Sequence, residues 1–575
     1  MVSVAPTSDL VNNLTRATSQ IPSQSRWIAR ASKLLRLWKR MQVSYYGGKY
    51  SIHRVLALNE YTTNTSLARV LLVFVATPLP MVALVYGQEL IPLQALSEGW
   101  SANYGMWIRT AVLACVTTHA VVVQATYLID DFAVSTSQLL LLYLCVPASV
   151  VALAAVVAAH FVFPIPFFVL FVAPPFYGLL ITSVRIVVGA RAMSQMLTHR
   201  GQVSRCVRFV CAQTSTVFIF PVYEMLFRAA EGTRYQLPVI LLLPVIKVMI
   251  KNVVLHYAKS LEDMIPVEVI FTADFFNAVY VATCMQSASS AITVSAITIT
   301  DLSQTIITLY GMQRRTTSIL SRLRRTVQHV ADKDNMLTMI CILCRNPASF
   351  RKQAYTGIRK RSCLPHHISM MSKRVLESLD EIIQEAAAEP VNVQASSEFS
   401  VGPRNPSILY PNVFPQPVKN KLSRRHPNLQ RSTILLESLE TLFTTECLII
   451  TAYVEAFMPL FYCSYMLIMV HLNNAQYHTE MKGVTHENVG ATILPLFAFG
   501  LLQIVAFVLL VVVIKRNCGM EALYQLGFVL ETQRSLIQCK MMLWMVITLS
   551  FRVIHFGKLH RGIDIGFFSF SWSLG

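Results

Sequence analysis

Residues 132–184 read FAVSTSQLLLLYLCVPASVVALAAVVAAHFVFPIPFFVLFVAPPFYGLLITSV, an unbroken run without one charged side chain. A helix needs ~20 predominantly apolar residues to cross a bilayer, so this run holds two crossings. The break falls at Phe163-Pro-Ile-Pro-Phe167, because proline ends or kinks a helix and restricts the residue before it. The predicted crossings are 138–162 and 167–184. Toward the N terminus, 110–129 is closed by Asp130-Asp131, and 70–87 lies between Arg69 and Glu89. Toward the C terminus come 209–223, short for a crossing, and 237–258, which contains Lys247 and Lys251. The stretch 267–313 reads as a hairpin, 267–286 and 291–312, turned at the small polar residues Gln286-Ser-Ala-Ser-Ser290. After a long polar segment, 447–470 and 491–514 are apolar again, while 541–551 is too short to cross alone. The expected fold is all-α, a polytopic membrane protein with about ten transmembrane helices and a large basic cytoplasmic loop.

Composition agrees. Of 575 residues, 54% are hydrophobic and 14% charged, against ~25% charged in ordinary soluble domains. Mean hydropathy is +0.50. Disordered, collagen-like and wholly soluble classes are excluded. The net charge of +19 sits between apolar runs, so it points to anionic lipid headgroups and the positive-inside rule rather than to nucleic acid. With the N terminus in the cytoplasm, inside segments carry 41 basic residues and outside segments four; both termini are then expected in the cytoplasm, in a plasma membrane or endomembrane. The expected organisation is a basic cytoplasmic region 1–67, a transmembrane bundle 68–313 of about eight spans, a cytoplasmic loop 314–445 with 20 basic and 10 acidic residues, and a second transmembrane part 446–575 with short C-terminal helices. Within 1–67, residues 25–41 place Trp27, Ala31, Leu34, Trp38 and Met41 on one helical face and basic residues mostly opposite. Such a helix lies on an anionic leaflet through Arg30, Lys33 and Arg36, or packs on its own cytoplasmic domain, or serves as a presequence. Within the loop, 373–388 is an amphipathic helix and 389–431 a proline-rich linker.

No phosphate-binding glycine loop, His-Glu-x-x-His or Gly-x-Ser-x-Gly motif occurs, so the chain does not read as an enzyme and implies no cofactor. Cys341, Cys344, Cys363 and His366 have the spacing of a zinc site, although an apolar helix with packed or acylated cysteines explains the first pair as well. Acids inside a membrane are costly and mark functional positions. Asp274 and Asp301 are two. Asp301 continues a polar stripe, Ser295, Thr298, Thr305 and Thr308. Glu455 is the third. It lies four residues before Pro459, which leaves the Glu455 carbonyl without its helical N–H partner, a combination suited to a cation or proton. The bland alternative is structural pairing with Lys247 or Lys251.

Thr445-Glu-Cys447, Glu455-Ala-Phe-Met-Pro-Leu-Phe-Tyr462, Tyr477-His-Thr-Glu480, Gly500-Leu-Leu-Gln-Ile504, Lys515-Arg-Asn-Cys-Gly-Met520, Ala522-Leu-Tyr-Gln-Leu526, Phe528-Val-Leu-Glu-Thr-Gln533 and Phe551-Arg-Val-Ile-His-Phe-Gly557, with Tyr46-Gly-Gly-Lys-Tyr50 and Leu58-Asn-Glu-Tyr61, resemble a family of multi-pass transmembrane proteins abundant in oomycetes. The tail Lys558-Leu-His-Arg561 departs from the family's acidic-aromatic ending. The resemblance implies membrane location and no particular activity. Two functions follow from the residues themselves: a transporter or channel for a small solute, or a receptor or scaffold whose segment 314–445 binds partners.

Overall fold

The computed structural model describes residues 48–130, 132–189, 194, 196–230, 232–233, 235–286, 291–327, 335–353, 357–388 and 432–557. Everything in it that is regular is helical. Helix α1 (Ile52–Asn64) is capped by the Ser51 hydroxyl. The long helices follow: α2 (Leu67–Glu89, broken near Pro78), α3 (Tyr104–Leu128), α4 (Thr136–His160), α5 (Phe168–Val188), α6 (Arg200–Ala230), α7 (Gln236–Ala258), α8 (Ile265–Gln286) and α9 (Ala291–Thr326). Helices α10 (Met336–Arg345) and α11 (Met370–Ala388) precede α12 (Ile434–Met469), α13 (Val489–Cys518), α14 (Ala522–Thr532) and α15 (Arg534–Arg552). Among the described residues, nine helices are long and apolar enough to cross a membrane. The chain is an integral membrane protein. All the long apolar runs of the sequence form helices, and the 267–313 stretch forms two helices in contact, α8 and α9.

Local chemistry sets the ends. Ser135 and Gln138 form a reciprocal capping box at the start of α4, satisfying two of the donors a helix leaves open. Gly519, at φ 66°, closes α13 in the left-handed conformation, where glycine carries no Cβ penalty. Gly105, in the first turn of α3, has no room for a Cβ: an added one would stand 2.0 Å from the Pro92 carbonyl oxygen. That close approach seats the 90–103 loop on the helix.

The hydrogen bonds give the bundle two ends. At one, Tyr61 on α1 donates to Glu531 at the end of α14 at 2.9 Å, and Arg69 at the start of α2 pairs with the same carboxylate. This basic end also holds α10 and the 357–388 segment. The Ile52 amide donates to the Arg359 carbonyl, and the His53 amide to the Lys360 carbonyl, each at 2.9 Å. At the opposite end, Asn474 Nδ2 donates to the Ile91 carbonyl at 2.7 Å, and His478 pairs with Val553.

Helix α15 runs between these ends, from Arg534, beside the Arg69–Glu531 pair, to Arg552 and Val553, beside the 471–488 loop. The apolar stretch 541–551 is thus part of a longer helix, which is not among the nine helices long and apolar enough to cross a membrane. The helix has 19 residues, about 28 Å at 1.5 Å per residue, close to the ~30 Å of a bilayer core. Its polar flanks, which shorten the apolar run, are buried and paired rather than looped out. Residues 48 and 557, the first and last described, lie at opposite ends of the bundle. Helix α6, at 31 residues, likewise runs well beyond the short stretch expected for it. Helix α9 continues to Thr326 and α12 starts at Ile434, so both extend into the polar 314–445 segment.

Candidate functional site

Three of the long helices bring ionisable groups to one place beneath the basic end. Helix α7 supplies Lys247 and Lys251, one turn apart and so on one face. Helix α8 opens into a single wide turn at Ile270–Asp274 with i→i+5 bonding, a distortion common at functional positions, and it presents Asp274. Helix α12 supplies Thr451 and Glu455. Lys247 Nζ lies 2.7 Å from Glu455 Oε1 and 3.1 Å from Asp274 Oδ1, and Lys251 Nζ lies 2.7 Å from Asp274 Oδ1. Thr451 Oγ1 donates to Asp274 Oδ2 at 3.3 Å. Asp274 is fully buried, whereas the Glu455 side chain keeps 17% exposure. Lys247 thus joins two of the three sequence candidates, and Lys251 brings a second ammonium to Asp274. Asp274 fits the structural pairing, while Glu455 is both paired and open.

Its opening is a cavity of about 460 Å³ between α7, α9, α12 and α13, reaching from Lys247, Glu455 and Asp301 to Arg314 and Arg315. The third candidate, Asp301, lies in this wall and accepts from the Gln503 amide of α13. Thr305 and Thr308 continue the wall toward the mouth. Ser295 and Thr298, the other members of the stripe, are not among the lining residues, and Ser295 is exposed. At the mouth, Arg315 pairs with Glu440 at 2.8 Å.

Sequence reasoning missed three further buried networks. At the basic end, Arg54 binds Glu446 at 2.8 Å and donates to the Asp263 carbonyl at 2.7 Å, while Asp263 pairs with Arg359 at 2.8 Å. Burial opposes the Asp263 charge, yet the Arg54 and Arg359 guanidiniums hold its carboxyl below the ordinary carboxylate range. Between the basic end and the Asp274 site, Lys540 of α15 lies 2.6 Å from Glu268, which also accepts from Gln213 at 3.0 Å. At the opposite end, Glu89 holds Arg109 at 2.9 Å and His478 at 3.1 Å, and Glu480 holds Arg552 at 2.6 Å. Arg552 also donates to Tyr462 Oη at 3.1 Å. The available signal was charge inside or beside an apolar run, read instead as the run's boundary.

The zinc spacing is not realised. Cys341 and Cys344 lie on the buried apolar face of α10, where burial pushes the Cys341 thiol up to about 12 and the Cys344 thiol higher still. Cys363 is exposed and donates to the Leu261 carbonyl at 3.3 Å, and His366 stacks on Phe528 with ring centroids 5.4 Å apart. Among the described residues no group of three or more His, Cys, Asp or Glu side chains is placed to hold a metal ion. Arg30, Lys33 and Arg36, the expected lipid-surface residues, lie outside the described residues, as does the 389–431 linker. Comparison of the chain with protein-family models, with curated proteins and with solved structures finds no match.

Proposed function

We propose that this protein moves a small solute across the membrane, with the cavity between α7, α9, α12 and α13 as its binding chamber and the basic end facing the cytoplasm. One observation carries the reading. A cavity of about 460 Å³ enters the bundle and reaches a carboxylate, Glu455, that an ion network holds one turn before Pro459, a proline inside α12. Irregular backbone and ionisable groups are tolerated within a membrane where they line a cavity. The wide turn at Asp274 supplies a second irregular helix at the same level. In this reading the network at the opposite end, Glu89–Arg109–His478–Glu480–Arg552, seals the far side. The receptor or scaffold alternative needs segment 314–445 to offer an unoccupied surface. Its described part is instead strapped to α1 and Asp263, which favours transport.

Glu455→Gln in proteoliposomes tests the proposal. The variant keeps shape and removes the titratable charge. Solute flux is expected to lose its pH or cation dependence, with thermal stability in detergent falling by less than the loss of a wholly buried partner, because Lys247 retains Asp274. A variant normal in both flux and stability removes Glu455 from the mechanism.

A further inference from the structure

A second cavity, between α3, α5, α6 and α15, has the opposite character, and nothing about it depends on the transport reading. Its walls are mostly hydrocarbon, with Leu113 on α3, Val172 and Phe176 on α5, Val217 on α6 and Leu543 on α15. The polar side chains among them are committed elsewhere. Thr110 and Thr117 donate to the Met106 and Leu113 carbonyls of their own helix, at 2.9 and 2.7 Å. Thr214 donates to the Val210 carbonyl at 2.9 Å, so the Tyr177 hydroxyl donates in turn to Thr214 Oγ1 at 2.8 Å. Gln124 and Gln213 turn their amide N–H groups to Glu268, at 3.5 and 3.0 Å. The exception is Trp544, whose indole N–H meets no acceptor among the described residues; that nitrogen is covered by protein, so the cavity receives the ring alone. A polar solute finds little here to bind, and an apolar cavity stays dry.

The cavity opens sideways. Helix α5 packs on α4, and α6 on α7, far more than α5 and α6 pack on each other, and the Tyr177–Thr214 hydrogen bond bridges the gap between them. Phe218, which lines the cavity, is 42% exposed. Helices α3, α4 and α5 have the length and apolarity of membrane spans, so what stands outside the gap is lipid. Depth and size narrow the occupant. Trp544, in the cavity wall, lies halfway along α15 and so between the two ends of the bundle, the level at which the lipid chains of two leaflets end within a ~30 Å core. The space, about 90 Å³, is smaller than the ~150 Å³ that accepts a benzene ring. It excludes the fused rings of a sterol and admits a few methylene groups in line.

We infer that the slot between α5 and α6 takes the end of a single acyl chain of a bilayer lipid, entering sideways, with its last methylene groups against Trp544.

The test uses the full chain in nanodiscs of phosphatidylcholine brominated either near the end of one acyl chain or near the headgroup. Bromine quenches an indole at close range, and the emission of Trp544 is the difference between the wild type and Trp544→Phe. Chain-end bromine is expected to lower that emission at least twofold, and headgroup-proximal bromine much less. Ala173→Phe on α5 and Val210→Phe on α6 fill the slot from opposite walls, and each is expected to restore at least half of the lost emission. Melting temperature shows which variant is folded, and either one suffices. Emission untouched by chain-end bromine, stronger quenching by headgroup-proximal bromine, or full quenching in a folded filled variant each overturns the inference. So does a sterol that restores the emission beyond the effect of equal dilution with unbrominated lipid, which would give the slot to a ring system.

Discussion

Lys540 and Glu268 are buried inside the bundle, with 3% and 0% of their side chains exposed. Two charges so placed gain little net stability from each other, but removing one strands the other at ~3–5 kcal/mol. Lys540→Met is therefore expected to lower the melting temperature of the detergent-solubilised protein sharply, and Lys540→Met/Glu268→Gln to recover at least half of that loss. A double variant as unstable as the single one would show that the lysine acts by shape rather than charge. His366 offers a pH signature outside the membrane spans. Burial, with Arg54 and His53 beside it, pushes its imidazole down to about 3, so the fold holds it neutral while the unfolded chain protonates near ~6.5. Its contribution is complete above pH ~6.5 and is lost progressively as the pH falls toward 3. Melting temperature measured from pH 7.5 to 5 should decline, and His366→Asn should flatten the decline. An unchanged slope would assign the acid sensitivity to other groups.

At the scale of elements, length and apolarity identified most of the helices because a lipid-facing helix must be apolar wherever it touches lipid. Helix α15 escaped for the converse reason. It is wrapped by α2, α3 and α8, so nothing obliges its sequence to look like a span, and Lys540 and Arg552 cut its apolar run to eleven residues. The same blindness applied to the opposite-end network, whose members each looked like the edge of something. Glu446, Tyr462, Glu480, Gln525 and Arg552 make buried contacts, but each was read without its partner, which lies far away in the sequence. At Gly105 the prediction is steric. Gly105→Ala drives a methyl into the Pro92 carbonyl and should cost about 1–3 kcal/mol, seen as a lower melting temperature; an unperturbed variant would mean that the 90–103 loop shifts without cost.

For the whole molecule the path of the chain makes a prediction about sides. If α15 crosses, the ends of the chain are separated by the membrane. Epitope tags placed at residue 1 and after residue 575, probed by protease in sealed vesicles of known orientation, should be cut from opposite sides, the N-terminal tag on the cytoplasmic one. Digestion of both from the same side would return α15 to a helix tucked into the bundle without traversing it. The candidate site was legible in its members and not in its wiring: Asp274, Asp301 and Glu455 stand out as acids in apolar runs, but which of them meets a lysine depends on the rotation of α7 against α8 and α12, a property no single helix encodes. The cavity is still less legible, since it is the space α9 leaves by packing loosely.

The late position of α15 in the chain bears on how the protein is made. A ribosome delivers α2, α3 and α8 to the membrane long before it reaches Arg534, so Glu268 and Glu480 must wait in a half-built assembly without Lys540 and Arg552. Lys540 would itself resist entry into lipid, by up to about 2.5–3.5 kcal/mol, until the waiting acid receives it, and Arg552, the last residue of α15, by less. Completion of the protein is thus a docking reaction between the last helix and all that came before. A chain broken off near residue 533 would display unmatched acids within the bilayer, the kind of defect by which a cell's membrane proteases can tell an unfinished copy from a finished one.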